Sequence, residues 1–140
     1  MAGMVFTFEV LENSARNYIL HIVGVDTDTT TAYTSDGSSA GIVAANGYTP
    51  TTNLKVRRVI YNTTNCAIRL QWHQTTNAEL ANISGYGEYC LEDTQGVINP
   101  KGTGSTGDID LLTYPIAAVT AGSGIVTAMF SMTIECIKGA

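Results

Sequence analysis

Val126-Thr127-Ala128-Met129-Phe130-Ser131-Met132-Thr133-Ile134-Glu135-Cys136 alternates without interruption. Val126, Ala128, Phe130, Met132, Ile134 and Cys136 take one register, and Thr127, Met129, Ser131, Thr133 and Glu135 take the other. Successive side chains of a strand point to opposite faces, so this period of two predicts one long, half-buried strand. Working outward, Val5 to Leu11 repeats the pattern, with Phe6, Phe8 and Val10 on one face and Thr7 and Glu9 on the other; the two terminal strands are expected to share a sheet. Tyr18 to Val25, Leu54 to Tyr61 and Ala67 to His73 read as further short strands bounded by Asn, Thr or Gly. Tyr61-Asn62-Thr63-Thr64-Asn65-Cys66, between two of them, is expected to be a tight hairpin loop. Glu79 to Ile83, Gly87 to Leu91 and Asp108 to Leu112 continue the series, and Gly96 to Gly107 reads as a loop. About eight short strands joined by turns imply an all-β fold, an antiparallel two-sheet sandwich of jelly-roll topology.

Composition agrees with that pattern. The chain has 140 residues, within the range of a single domain. Charged residues are 14% of it, against about a quarter in an ordinary soluble protein. Thr (20), Ser (8) and Gly (14) supply the polar surface instead, and these residues favour strands and turns. No stretch has a helical period, which excludes a helix bundle. Seven Lys and Arg in a chain of net charge −5 argue against a nucleic-acid partner, because neutralising phosphates requires clustered cations. The absence of an apolar run of about 18 residues argues against a membrane span. MAGMVFTFEV at residues 1–10 has neither a basic start nor an apolar core, so no secretory signal is expected and the chain is expected to be made in a cytoplasm. Cys66, Cys90 and Cys136 are then expected to be buried, reduced thiols. Asp26 to Asn53 lacks a strong strand pattern; weak strands around Thr31 to Thr34 and Gly41 to Ala45 and a long exposed arm are expected there.

Residues able to carry chemistry do not converge on a catalytic pattern. Asp26-x-Asp28 and Asp108-x-Asp110 could ligate a cation, but an EF-hand loop starting at Asp26 needs Gly at its sixth position and Glu at its twelfth, where Thr31 and Gly37 stand. These aspartates are expected to be solvated turn residues, and no metal is expected. His21 and His73 lie inside strands without a metal-ligand spacing and are expected at sheet edges or surfaces. Gly102-x-Gly104-x-x-Gly107 imitates a dinucleotide fingerprint but opens no helix, so no cofactor is expected. Glu88, Glu92 and Asp93 could form the paired carboxylates of a glycosidase, a weak signal. The expectation is a protein that is not an enzyme. Trp72 shares a strand face with Leu70 and Ile68 and is expected to anchor the core.

Two groups remain as partner-binding candidates. Lys55, Arg57 and Arg58 concentrate three of the seven cations on one strand, with Lys55 and Arg57 on one face by alternation, and could meet an acidic partner surface. Replacing Lys55 and Arg57 by Glu is expected to weaken association while barely moving the melting temperature. Tyr86 and Tyr89 flank Gly87 and could stack on a partner or a sugar ring.

Val59-Ile60-Tyr61-Asn62-Thr63-Thr64-Asn65, Ile68-Arg69-Leu70-Gln71-Trp72, Gly85-Tyr86-Gly87-Glu88-Tyr89, Ile98-Asn99-Pro100 and Gly107-Asp108-Ile109-Asp110-Leu111 together resemble small virion structural proteins of tailed bacteriophages, those of marine and cyanobacterial phages in particular. The resemblance covers residues 54 to 138 and implies the head decoration, or cement, group. It implies a jelly-roll-like protein that binds the major capsid protein on the outer surface of the head, reinforces the shell and assembles as a homotrimer. The alternatives are a carbohydrate-binding module, a tail or adaptor module of the same virion, and a small β-fold hydrolase.

Overall fold

The computed structural model describes residues 4–28, 37–90, 97–115 and 125–138. Within them the chain is all-β and antiparallel. The strands are β1 (Val5–Asn13), β2 (Asn17–Asp28), β3 (Gly37–Ser39), β4 (Lys55–Trp72), β5 (Ala78–Cys90), β6 (Val97–Ile98), β7 (Ile109–Pro115) and β8 (Ile125–Ile137). One 3-10 turn, Ala44–Asn46, is the helical element among the described residues. All eight strands belong to one hydrogen-bonded sheet. Its main path is β1-β2-β8-β4-β7-β3, with β5 and β6 also paired to β4. The terminal strands share this sheet, as their alternation implied, but β2 lies between them, pairing Val5↔Val25 on one side and Val25↔Met129 on the other.

β4 organises the sheet. Its first half pairs with β8 from Lys55↔Ile137 to Thr64↔Met129, and its second half pairs with β7 from Cys66↔Pro115 to Trp72↔Ile109. β5 follows both halves along the opposite edge. The sheet therefore divides into two limbs at residues 62–67: a first limb of β1, β2, β8 and the start of β4, and a second of β3, β7 and the end of β4. The expected hairpin loop at Tyr61–Cys66 sits inside this continuous strand and does not reverse the chain. Asn62-Thr63-Thr64-Asn65 lacks the glycine that a two-residue hairpin turn requires, and its threonines favour extended backbone. Asn65 instead adopts a left-handed φ of 56°, and the β4–β5 register slips between Asn62↔Tyr86 and Ala67↔Ser84. The slip lets one strand change neighbours from β8 to β7. Glu79–Ile83 and Gly87–Leu91, expected as two strands, likewise fall in the single strand β5 as far as Cys90; Leu91 lies outside the described residues. The reversal between β4 and β5 falls at His73–Asn77, where the Gln74 amide donates to Asn77 Oδ1 at 3.3 Å.

The buried faces of both limbs enter one apolar cluster. Leu20, Ile22, Val59, Phe130 and Ile134 come from the first limb, and Ile68, Leu70, Trp72, Ile109 and Leu111 from the second. Each such side chain contributes roughly 1.5–3 kcal/mol by leaving water. Trp72 is buried beside Leu70 and Ile68, the anchor that alternation placed there. Gly24 faces Phe130 across the β2–β8 pair, and a Cβ on it would lie 2.1 Å from the aromatic ring. The missing side chain is what allows the ring to lie flat over the strand.

Residues 29–36, which include the expected strand Thr31–Thr34, lie outside the described residues. The rest of the Asp26–Asn53 segment corrects the expectation of an exposed arm. The expected strand Gly41–Ala45 is a turn that enters the 3-10 element at Ala44, and Ile42 and Val43 are buried in the core. The Ile42 amide donates to the Ile109 carbonyl at 2.9 Å, which fastens the segment to β7.

Candidate functional site

The cation cluster is built by a bulge. Val56 opposes Cys136 and Arg58 opposes Glu135, so Arg57 is an extra residue in β4. A bulge breaks alternation, and it turns both arginines toward one residue of the partner strand. Arg57 Nη2 donates to Glu135 Oε1 at 2.6 Å, Arg58 Nε donates to Glu135 Oε2 at 2.6 Å, and Arg58 Nη2 also contacts Oε2. Arg58 Nη1 reaches Glu88 Oε1 at 3.2 Å. Burial acts to raise the Glu135 pKa, yet the hydrogen bonds from Arg57 and Arg58 outweigh it and hold the carboxyl below its ordinary value. The Arg58 guanidinium is raised correspondingly, first by Glu135 and then by Glu88. Two of the three cations expected to meet a partner are thus committed within the chain. Lys55, half-exposed opposite Ile137, makes no ion pair among the described residues. Replacing Arg57 by Glu, expected to be mild from the sequence, would set a second carboxylate against buried Glu135.

Around this cluster the outward face of the first limb forms a ladder of cross-strand rows. One row is Val5–Val25–Met129–Thr64, the next Thr7–Val23–Ser131–Asn62–Tyr86. Glu9–His21–Thr133–Ile60–Glu88 and Glu12–Ile19–Glu135–Arg58 follow. Val5 is 67% exposed, Met129 42%, Ile60 41% and Tyr86 86%, so large apolar groups stand in water on a face five strands wide. His21 Nδ1 lies 3.0 Å from Thr133 Oγ1 within it. Tyr86 lies on this outward face, whereas Tyr89 opposes buried Val59 and belongs to the inward register at the β5 edge. The two tyrosines therefore do not form one stacking platform. The apolar members of the face were visible in the sequence, since Met129 interrupts the Thr/Ser register of the C-terminal strand and Val5 the Thr/Glu register of the first. Both signals give way to the charge cluster when the sequence is read alone.

A second polar group lies at the far end of β4. Asp108 and Asp110 are buried there, as Asp26 is in β2, which corrects their reading as solvated turn residues; the side chain of Asp28 lies outside the described residues. Asp108 Oδ1 accepts from the Val43 and Ile109 amides at 2.9 and 2.8 Å, and Oδ2 accepts from the Ala44 amide at 3.0 Å. The carboxylate thereby satisfies backbone donors at the start of the 3-10 element that have no partner within it. Asp110 Oδ1 accepts from the Gly41 amide at 2.8 Å, and both its oxygens lie within 3.1 Å of His73 Nδ1. Alternation of Asp108 and Asp110 about Ile109 was the available signal, for it places both carboxylates on the face opposite a core residue. Beside this group a cleft of about 210 Å³ is lined by Ser39, Gln71, Asn77, Asp110, Leu111 and Leu112. No group of three or more His, Cys, Asp or Glu able to hold a metal occurs among the described residues.

Of the cysteines, Cys66 and Cys136 are buried and free. Burial, then the carboxylates of Asp108 and Glu135, push the Cys136 thiol up to about 12, and burial raises Cys66 as well. The thiolate is the nucleophilic form, so both behave as small hydrophobes. The side chains of Cys90, Glu92 and Asp93 lie outside the described residues, and Glu88 is engaged by Arg58. No helix among the described residues is long and apolar enough to cross a membrane.

No protein-family model matches the chain, and no curated protein matches it.

Proposed function

We propose that this protein is a structural component of a tailed-phage virion, a decoration protein that docks on the outside of the head through the outward face of its first limb. The observation that carries the reading is the Val5–Val25–Met129–Thr64 row with its neighbours Ile60 and Tyr86: exposed apolar groups spread over a broad sheet face whose arginines are already paired. Large apolar side chains gathered in water on one face mark interaction surfaces. Internally neutralised charges give such a face little long-range steering, so binding draws on shape and apolar burial and depends only weakly on salt. The major capsid protein is the partner, and three copies about a local three-fold axis would turn a modest single contact into tight occupancy through effective concentration. The two limbs close as the layers of a jelly-roll-like sandwich, a reading supported by the single apolar cluster to which both contribute.

Met129→Glu is the test, because Met129 is exposed and the change leaves the core untouched. The variant is expected to keep the parent's melting temperature and to lose about tenfold or more in affinity for undecorated heads, equivalent to losing a contact of roughly 1.4 kcal/mol. Equal decoration by parent and variant would overturn the reading. Binding to tail components in place of heads would move the protein to the adaptor alternative.

A further inference from the structure

We propose that the cleft beside Asp110, on the second limb and away from the docking face, is a binding site for a single neutral sugar ring. Its floor is the cross-strand pair Gln71 and Asp110, directly opposed in the β4–β7 register. Both are buried polar side chains, and both are held in place. Gln71 Oε1 accepts from Asn77 Nδ2 at 3.1 Å, while the Gly41 amide and His73 Nδ1 fix the Asp110 carboxylate from the other side. Polar groups locked by neighbours before a ligand arrives lose little entropy on binding, which is how small-molecule sites obtain affinity from few contacts.

The donor set selects the ligand. A carboxylate accepts, the Gln71 and Asn77 amides both donate and accept, and the Ser39 hydroxyl does both. Adjacent hydroxyls on a ring, each a donor and an acceptor, answer that set, and Leu112, on the same strand face as Asp110, offers an apolar wall to the C–H face of the same ring. An anion would meet the Asp110 carboxylate and is disfavoured. With about 210 Å³ the cleft lies below the roughly 300 Å³ at which pockets for drug-sized ligands begin, so it admits one ring and no more.

The site is independent of capsid docking. Its test is a titration of the isotopically labelled protein with methyl β-D-galactopyranoside and, separately, methyl α-D-glucopyranoside, followed by amide chemical shifts, with ethanolammonium chloride as the cationic comparison. Expected are saturable shifts confined to Ser39, Ala40, Gln71, Asn77 and residues 110–112 for at least one sugar, with a dissociation constant of millimolar order. Asn77→Ala, at an exposed position, is expected to weaken that binding about fivefold, as the loss of one hydrogen bond does, with spectral changes confined to the 73–77 reversal and Gln71, which Asn77 contacts directly. Three results would overturn the proposal: no saturable shifts with either sugar, shifts centred on Tyr86 and Tyr89, or a response to the amine alone. Undiminished binding by Asn77→Ala would do the same.

Discussion

Glu135 is the residue on which the first limb's electrostatics turn. Its side chain is 7% exposed and is held by two arginines that are each about a third exposed (34% and 32%). Replacing Arg57 by Ala is expected to cost about 1–3 kcal/mol. That is less than the roughly 3–5 kcal/mol of breaking a fully buried pair, because Arg58 remains and water reaches both guanidinium groups. Chemical denaturation of the two proteins measures the difference directly. The pH dependence has a definite sign. A carboxyl whose folded pKa is depressed contributes stability above its unfolded pKa, near 4.5, and loses that contribution as pH falls through the lower folded value. The melting temperature is therefore expected to fall on acidification below about pH 4.5, and Glu135→Gln is expected to flatten that limb; an unchanged acid limb would place the effect elsewhere. Residue-level reading of the sequence found Arg57 and Arg58 but missed their partner. Alternation assigns Lys55 and Arg57 to one face, and only the bulge, which depends on the register against β8, brings Arg58 round to Glu135.

Among the elements, β4 and the 41–47 segment carry the least expected structure. The eighteen residues of β4 have the local pattern of two strands and a loop, because Asn and Thr are common in turns. The run is extended because it serves two neighbours in succession, a tertiary arrangement that no local pattern reports. Asn65 pays for the bend with its left-handed backbone. Asn65→Gly is expected to destabilise less than Asn65→Val, the latter by about 1–2 kcal/mol more, since a β-branched residue is strained at positive φ. Equal losses in both variants would mean that the bend is not governed by backbone conformation. Asp108 plays the corresponding part for the 41–47 segment. Asp108→Ala leaves the Val43 and Ala44 amides without their acceptor, so their hydrogen exchange is expected to accelerate well beyond that of β2 and β8 amides. Uniform acceleration would indicate global destabilisation rather than local release. By contrast β1, β2, β7 and β8 were legible as alternating or short apolar runs bounded by turn residues, although bulges interrupt β1 after Val10 and β2 after Asp26, and the all-β class followed from them.

For the whole molecule, the all-β, antiparallel, nearly helix-free architecture was readable from composition and alternation. The division into two limbs was not, because it follows from how β4 is shared. The proposed capsid docking also belongs to this scale, since rows running through β1, β2, β8, β4 and β5 make a face that no single strand encodes. Tyr86 and Met129 stand out on that face, and the acidic cleft end of β4 lies on the other limb. An electron cryomicroscopy reconstruction of phage heads incubated with the purified protein tests the account most directly. Three copies about a local three-fold axis, with Val5, Met129 and Ile60 turned toward the major capsid protein, are the expected result. Heads that remain bare, or that carry the chain through its second limb, would contradict it.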